Sequence, residues 1–215
     1  PLIDGVGVDY VRPGRLTRAE RAALRTRFGV PRDAEVAVFL GLLARHQGIA
    51  HILEAALILR DRRPNLRWVI MGYPGEGAWR KMAATRGLGD LVTFTGRVPY
   101  ERMPEMLSMG DIALAPKLSL TEGSGKLLNY MAMSLPTVAY DTPAQRELLG
   151  ELGVYAPVGD VAAFAHQIDS LLNDRTAWGS IGAALRERAE AIFSWEREAR
   201  TMVGAYRAVL AGMGA

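Results

Sequence analysis

Short apolar runs and longer amphipathic patterns alternate along most of the chain. Apolar runs of strand length, bounded by glycine, proline or charged residues, predict buried strands at 36–41, 66–72, 91–96, 111–116, 137–141 and 154–157. Helical spacing of apolar positions predicts helices at 48–64, 76–89, 101–110 and 143–150. This alternation is typical of right-handed crossover units, so it predicts an α/β fold with a doubly wound, Rossmann-like parallel sheet.

The two ends of the chain follow other patterns. Residues 16–30 read as a helix whose start carries Thr17 and Glu20 at the spacing of a capping box. After Asp160 the strands stop, and three amphipathic patterns predict helices that pack on the sheet or on a further domain. Residues 1–14 show neither an initiator methionine nor a signal peptide, so we expect a piece of a longer protein.

The most distinctive stretch is TEGSGKLLNYM, residues 121–131, between two predicted strands. Ligands of doubly wound sheets bind outside the carboxyl ends of the strands, where this loop and those after Gly41, Gly72, Gly96 and Pro116 would gather. Glycines at the start of a helix expose N–H groups that suit a phosphate. The spacing matches neither the dinucleotide fingerprint nor the P-loop.

Two interpretations of this glycine loop stay open on the residues alone. In one, its amides and Lys126 bind phosphates while the Glu122 carboxylate accepts hydrogen bonds from hydroxyl groups, as a sugar nucleotide would require. In the other, Gly123 and Gly125 make a tight turn and Glu122 caps the helix. Lys126 favours the first, because a cation in the first helical turn opposes the dipole.

Composition narrows the possible functions. The 215 residues are 49% hydrophobic and carry a net charge of +3, which predicts a globular domain and gives no ground for nucleic-acid binding. The sequence has no cysteine, which suits a reducing compartment and excludes thiolate chemistry. Three scattered histidines and the lack of an Asp-x-Asp motif predict that no metal is bound.

The order of several motifs resembles the carboxyl-terminal, donor-binding half of the GT-B glycosyltransferases. The resemblance is to the retaining group 1, or family 4, type, which includes sucrose synthases and many bacterial mannosyl- and glucosyltransferases. It covers nearly the whole chain, and it rests on GVGVDYVRPG, FLGLLARHQGIAHILEAALIL, WVIMGYPGE, VTFTGRVPYERMPEMLSMGDIALAP, EGSGKLLNYMAMSLPTVAYD and FSWEREARTMVGAYRAVL. It implies that residues 1–215 form one nucleotide-sugar binding domain, whose amino-terminal acceptor domain is absent from this chain.

The resemblance also implies roles for single residues. Glu122 corresponds to the first of two glutamates in the family and is expected to bind the hydroxyls of the donor sugar. The second, expected at the ribose, is replaced by Asn129. A basic pair that holds the diphosphate in the family is replaced by Leu42 and Gln47, so both of its charges are lost.

Other residues are candidates to replace those charges or to complete the donor site. Arg45 and Lys126 are the candidate cations, with Lys126 and Glu122 as the catalytic pair. Arg45 and Arg97 can equally be solvated surface arginines. The donor-binding residues implied by the resemblance are Gly41, Arg45, Arg97, Val98, Gly123, Ser124, Gly125 and Asn129.

The implied function is transfer of a sugar from a UDP- or GDP-linked donor, without a cofactor or metal, to an acceptor that is a glycan, a lipid or a small molecule. The altered charges leave two alternatives open: a non-catalytic nucleotide-sugar binding or scaffold domain, and a GT-B sugar-nucleotide epimerase. The expected location is cytoplasmic. Contact with the inner face of a membrane is an open possibility that no feature of the sequence supports.

Overall fold

The computed structural model describes residues 4–212, in which six strands form one parallel sheet. The strands are β1 (Glu35–Leu40), β2 (Leu66–Met71), β3 (Val92–Gly96), β4 (Ile112–Ala115), β5 (Thr137–Tyr140) and β6 (Val154–Ala156). Their order in the sheet is β3-β2-β1-β4-β5-β6. From β1 the chain builds one side of the sheet and then crosses to build the other, so the doubly wound prediction is confirmed.

Nine α-helices lie within the described residues. They are α1 (Arg18–Arg27), α2 (Ile49–Leu59), α3 (Glu76–Thr85), α4 (Met103–Leu107), α5 (Lys126–Ala132), α6 (Pro143–Leu149), α7 (Val161–Asn173), α8 (Arg175–Ile192) and α9 (Trp195–Gly212). Thr17 and Glu20 form the predicted capping box at the start of α1. The helix predicted at 48–64 is too long, because α2 ends at Leu59.

Alternate residues of each strand face opposite sides of the sheet, and both sides are buried. In β1, Val36 and Val38 face a core formed with α4, α5 and α8, while Ala37 and Phe39 face a second core formed with α2, α3 and α7. Because helices cover both sides, the strands are apolar at nearly every position. This explains why apolar runs, without alternation, marked the strands in the sequence.

The last three helices differ in whether they pack on the rest of the domain. Helix α7 packs on α2 and on the β5–β6 side of the sheet, and α8 packs on α5, as the sequence predicted. Helix α9 extends from them with exposed Val203, Tyr206 and Val209, so its apolar face is uncovered among the described residues. Within residues 4–212, no helix combines the length and the apolar character needed to cross a bilayer.

An ion-pair network follows α2 where the sequence predicted helix. Arg63 bonds Asp169 at 2.7 Å and Glu35 at 3.2 Å. Arg62 also reaches Asp169, and Arg175 also reaches Glu35. Arg62 and Arg63 therefore lie beyond the end of α2 and connect the segment after it to α7 and β1, while Arg175 connects the start of α8 to β1.

Candidate functional site

A crevice opens at the carboxyl ends of the two central strands. The direct pairing between β1 and β4 ends at Val38 and Ala113. Beyond this point the Tyr130 hydroxyl accepts a hydrogen bond from the N–H of Leu40 at 2.7 Å and lies 3.4 Å from the carbonyl of Leu114. The side chain thus closes the floor of the crevice and supplies polar partners to the separated strand ends.

Two loops approach each other across this crevice. Gly48 follows a short 3-10 turn, Arg45–Gln47, and has a φ of +78°. A Cβ added at Gly48 would lie 2.0 Å from the carbonyl oxygen of Pro116, so only glycine fits there. The N–H of Leu118 donates to the carbonyl of His46 at 2.9 Å. The loop after β1 is therefore held against the loop after β4.

The glycine loop lies on the β4 side of the crevice and leads into α5. Gly125 is the N-cap of α5, and no side chain within residues 4–212 caps this helix, so the interpretation of Glu122 as the helix cap was wrong. The N–H groups of Gly123, Ser124 and Gly125 donate to no acceptor in residues 4–212. The Ser124 hydroxyl is buried and also unpartnered there. These are free donors for a ligand.

Lys126 is the first residue of α5, and its side chain points back into the crevice. Its Nζ donates to Oε1 of Gln47 and lies 4.2 Å from the centre of the Phe39 ring. Burial, with a smaller effect from the nearby charge of Lys117, lowers the pKa of Lys126 to about 7. Within the described chain, Lys126 has no carboxylate partner. A bound anion would supply the missing negative charge.

The Glu122 carboxylate lies at the mouth of the same crevice. Its Oε2 is 3.0 Å from Nζ of Lys117 and 3.8 Å from Nε2 of His46. The hydrogen bond and the charge of Lys117 lower the pKa of Glu122 below its ordinary value. With 56% of its side chain exposed, the carboxylate stays ionised and reachable from solvent.

A second carboxylate lies beside the glycine loop. A Cβ added at Gly125 would lie 3.3 Å from Oδ2 of Asp4, in the segment before α1. The loop therefore has both acidic and basic neighbours. Such a mixture does not suit a bare phosphate alone, but it suits a ligand that offers hydroxyl groups as well as phosphates.

The structure places the other predicted residues of the β1 side as follows. Gly41 is adjacent to the crevice, because a Cβ added there would lie 3.1 Å from Nζ of Lys126. Arg45 is exposed at the start of the 3-10 turn and makes no ion pair within residues 4–212. Leu42 is exposed at 50%. Asn129 lies half-buried in α5, close in sequence to Lys126, and its side chain makes no hydrogen bond to the described part of the chain.

Arg97 and Val98 lie farther along the same edge of the sheet, after β3. The Arg97 guanidinium stacks 5.0 Å from the centre of the Tyr73 ring, which belongs to the loop after β2. Arg97 and Val98 line a cavity of about 120 Å³ with Phe28 and Pro99. Within residues 4–212 the structure does not bring Arg97 or Val98 into contact with Lys126 or Glu122.

Lys117, which contacts both Glu122 and Gly123, was not identified from the sequence. It follows β4 by two residues and is only 4% exposed. Its Nζ donates to the carbonyl of Gly123 as well as binding Glu122. A lysine directly after an apolar strand, on the edge where ligands bind, was the available signal.

No group of three or more histidine, aspartate or glutamate side chains is arranged to hold a metal ion in residues 4–212. The independence from metal remains a prediction from the sequence.

Comparison with known sequences gives a consistent result. The family model "Glycosyl transferases group 1" matches residues 20–191. Alpha-D-kanosaminyltransferase of Streptomyces kanamyceticus is 33% identical over 74% of this chain and 41% of its own length. D-inositol 3-phosphate glycosyltransferase of Geodermatophilus obscurus is 33% identical over 100% of this chain and 51% of its own length. The chain thus spans about half the length of the curated relatives it matches.

Solved structures share the fold at lower identity. Sucrose-phosphate synthase from Thermosynechococcus elongatus superposes with a TM-score of 0.83 at 23% identity, over 97% of this chain and 52% of the other. HepE of Anabaena in complex with UDP-glucose gives 0.83 at 16% identity, over 95% and 56%. The C-terminal domain of LpcC, a group 1 family protein of Francisella tularensis, gives 0.74 at 17% identity, over 89% and 100%.

Proposed function

Because the chain belongs to the glycosyl transferases group 1 family, we propose that it is the donor-binding half of an enzyme that transfers a sugar from a nucleoside diphosphate sugar to an acceptor. The similarity to HepE, whose structure holds UDP-glucose, supports a nucleotide sugar as the ligand. The names of the sequence relatives, which are transferases of sugars, support the reaction.

One observation carries the proposal: a half-buried lysine without a carboxylate partner in the described chain directly follows three backbone N–H groups that have no acceptor there. Lys126 supplies the cation, and the N–H groups of Gly123, Ser124 and Gly125 supply neutral donors. Together they can hold a diphosphate, although Leu42 and Gln47 stand where the family has its basic pair. Gln47 then acts as the residue that orients the Lys126 ammonium.

The proposed chemistry follows from these positions. When the bond between the sugar and the diphosphate breaks, negative charge grows on the leaving phosphate, and a fixed ammonium with preorganised amides stabilises it. Glu122 accepts hydrogen bonds from the hydroxyls of the donor sugar and so orients the reacting carbon. Retention of configuration and independence from metal are proposed from the family resemblance.

We further propose that a separate amino-terminal half binds the acceptor and completes the cleft. The support is that the chain covers 41% and 51% of two curated relatives but the whole of the LpcC C-terminal domain. On this proposal the chain alone binds donor and turns over little of it. Transfer would require both halves, because the acceptor and the donor carbon must be held together.

Calorimetric titration separates the possible functions. UDP, GDP and their glucose and mannose conjugates are titrated into the protein, and release of nucleoside diphosphate from the conjugates is followed in parallel. The proposal expects saturable binding of at least one diphosphate and its conjugate. Absence of binding by every one of these ligands at millimolar concentration would refute it. Binding by the full-length protein with no transfer to any acceptor would favour the scaffold alternative.

A further inference from the structure

Lys117 is a buried charge whose partners within residues 4–212 all belong to the glycine loop. Only 4% of the residue is exposed. Its Nζ donates to the carbonyl oxygen of Gly123 and lies 3.0 Å from Oε2 of Glu122. A buried ammonium is costly unless it is hydrogen-bonded and paired, so these two contacts account for its stability in this position.

The position of Lys117 in the fold makes it a fixed anchor. It follows β4 by two residues, next to Pro116, and the adjacent Leu118 N–H is bonded to the carbonyl of His46. The loop that it holds, 121–125, has no regular secondary structure and no cap on the helix that follows. Lys117 is therefore the main polar link between the sheet edge and the exposed Glu122 carboxylate.

We propose that Lys117 is a positioning residue, which holds the Glu122 carboxylate and the Gly123 carbonyl so that the glycine loop presents Glu122 to the donor sugar. The assignment rests on the proposed function of the site. Lys117 acts through Glu122, and Lys126 remains the cation of the diphosphate. The two lysines therefore serve different parts of the donor.

The different roles of Lys117 and Lys126 follow from the charges around each ammonium group. Lys117 is neutralised by Glu122, whereas Lys126 has only the Gln47 amide oxygen and the Phe39 ring as partners among the described residues. A phosphate gains more from the ammonium that lacks a counter-ion. The carboxylate beside Lys117 would repel a phosphate but accept hydrogen bonds from hydroxyl groups.

The first test needs no ligand. Backbone nitrogen-15 NMR order parameters of residues 121–125 are compared in the wild type, in Lys117→Met and in Lys81→Met, which alters the exposed lysine of α3. We expect the order parameters of this loop to fall to about 0.6 or below in Lys117→Met and to stay unchanged in Lys81→Met. Unchanged order parameters of the loop in a folded Lys117→Met would overturn the proposal. Glu122→Gln removes the same ion pair from its exposed partner, so it tests the link even where Lys117→Met does not fold.

The second test is a double-mutant cycle on donor affinity. The gain in affinity from the sugar is the ratio of dissociation constants for the bare diphosphate and for the sugar nucleotide. We expect Lys117→Met and Glu122→Gln each to reduce this gain by about tenfold, and the double variant to reduce it by little more than either alone. Independent effects that multiply to about 100-fold would contradict action through Glu122.

The results of the two tests distinguish a failure of the proposed function from a failure of the role proposed for Lys117. If the wild type binds no nucleotide but Lys117→Met still loosens the loop, the proposed function fails, and Lys117 is shown only to anchor the loop. If Lys117→Met weakens the bare diphosphate as much as the sugar nucleotide, Lys117 contacts the phosphates and the positioning role is wrong. Lys81→Met must bind both ligands as the wild type does.

Discussion

Binding of the diphosphate should be linked to protonation of Lys126. Burial and the nearby Lys117 lower the pKa of Lys126 to about 7 in the ligand-free protein, so at neutral pH the ammonium is only about half formed. A bound diphosphate next to this nitrogen favours the charged form and raises the pKa of Lys126. Affinity must then fall as pH rises above 7, because less of the protein carries the binding-competent ammonium.

The size of the change in affinity follows from the fraction of the protein in which Lys126 is protonated. With a pKa of about 7, the protonated fraction falls from about one half at pH 7 to about 1% at pH 9, so the dissociation constant should rise by about 50-fold. The groups facing Lys126 are Gln47 and Phe39 across the crevice and Lys117 beside the loop.

Calorimetry of a UDP- or GDP-sugar from pH 7 to pH 9 measures this slope, because its diphosphate has no ionisation of its own there. Lys126→Met should bind more weakly at pH 7 and show a flat profile. Lys81→Met should keep the wild-type slope. A flat wild-type profile, or a slope that persists in Lys126→Met, would refute the linkage.

Four further predictions concern single groups. Glu122→Gln should leave the affinity for bare diphosphate unchanged and slow sugar transfer by about 10- to 100-fold, as seen by comparing calorimetry with initial rates. Lys126→Met should raise the free energy of unfolding by about 3 to 5 kcal/mol at pH 7, because the pKa of Lys126 is about 7 in the folded state and higher in the unfolded state. Denaturant titration should show that this gain in stability vanishes near pH 10. Arg63→Met should cost about 1.5 to 3 kcal/mol, because Asp169 and Glu35 lose their half-buried partner and keep only the exposed Arg62 and Arg175, which the same titration measures. Transfer should be unchanged in chelator, and activity that requires added manganese would contradict this.

Local patterns predicted the sheet because the four inner strands, β1, β2, β4 and β5, are apolar and buried at nearly every position. The same method overextended the helix at 48–64. The apolar spacing of α2 stops at Leu59, and the arginines that follow are fixed by Glu35 and Asp169, which are 28 and 106 residues from Arg63 in the sequence. Such distant ion pairs leave no local signal, so the sequence could not show where the helix ends.

The glycine loop was located correctly from the sequence, but its contacts were not. The cap interpretation of Glu122 failed because its partner Lys117 lies before the loop and competes for the carboxylate. The orientation of Lys126 depends on Gln47, 79 residues away, which reaches it only because the two loops meet at Gly48 and Pro116. Sequence spacing can place a residue on an edge of the sheet, but contacts across the crevice depend on the fold.

The most direct measurement of the central claim is an NMR titration of the protein with UDP and GDP, bare and as sugar conjugates. The account predicts that one diphosphate shifts the amide signals of Gly41 and of the glycine loop, 123–125, and that the sugar conjugate adds a shift at Glu122. Signals of α1 and of the arginine network after α2 should stay in place. If no signal of the loops after β1 and β4 moves at millimolar ligand, the crevice is not a donor site and the account is wrong.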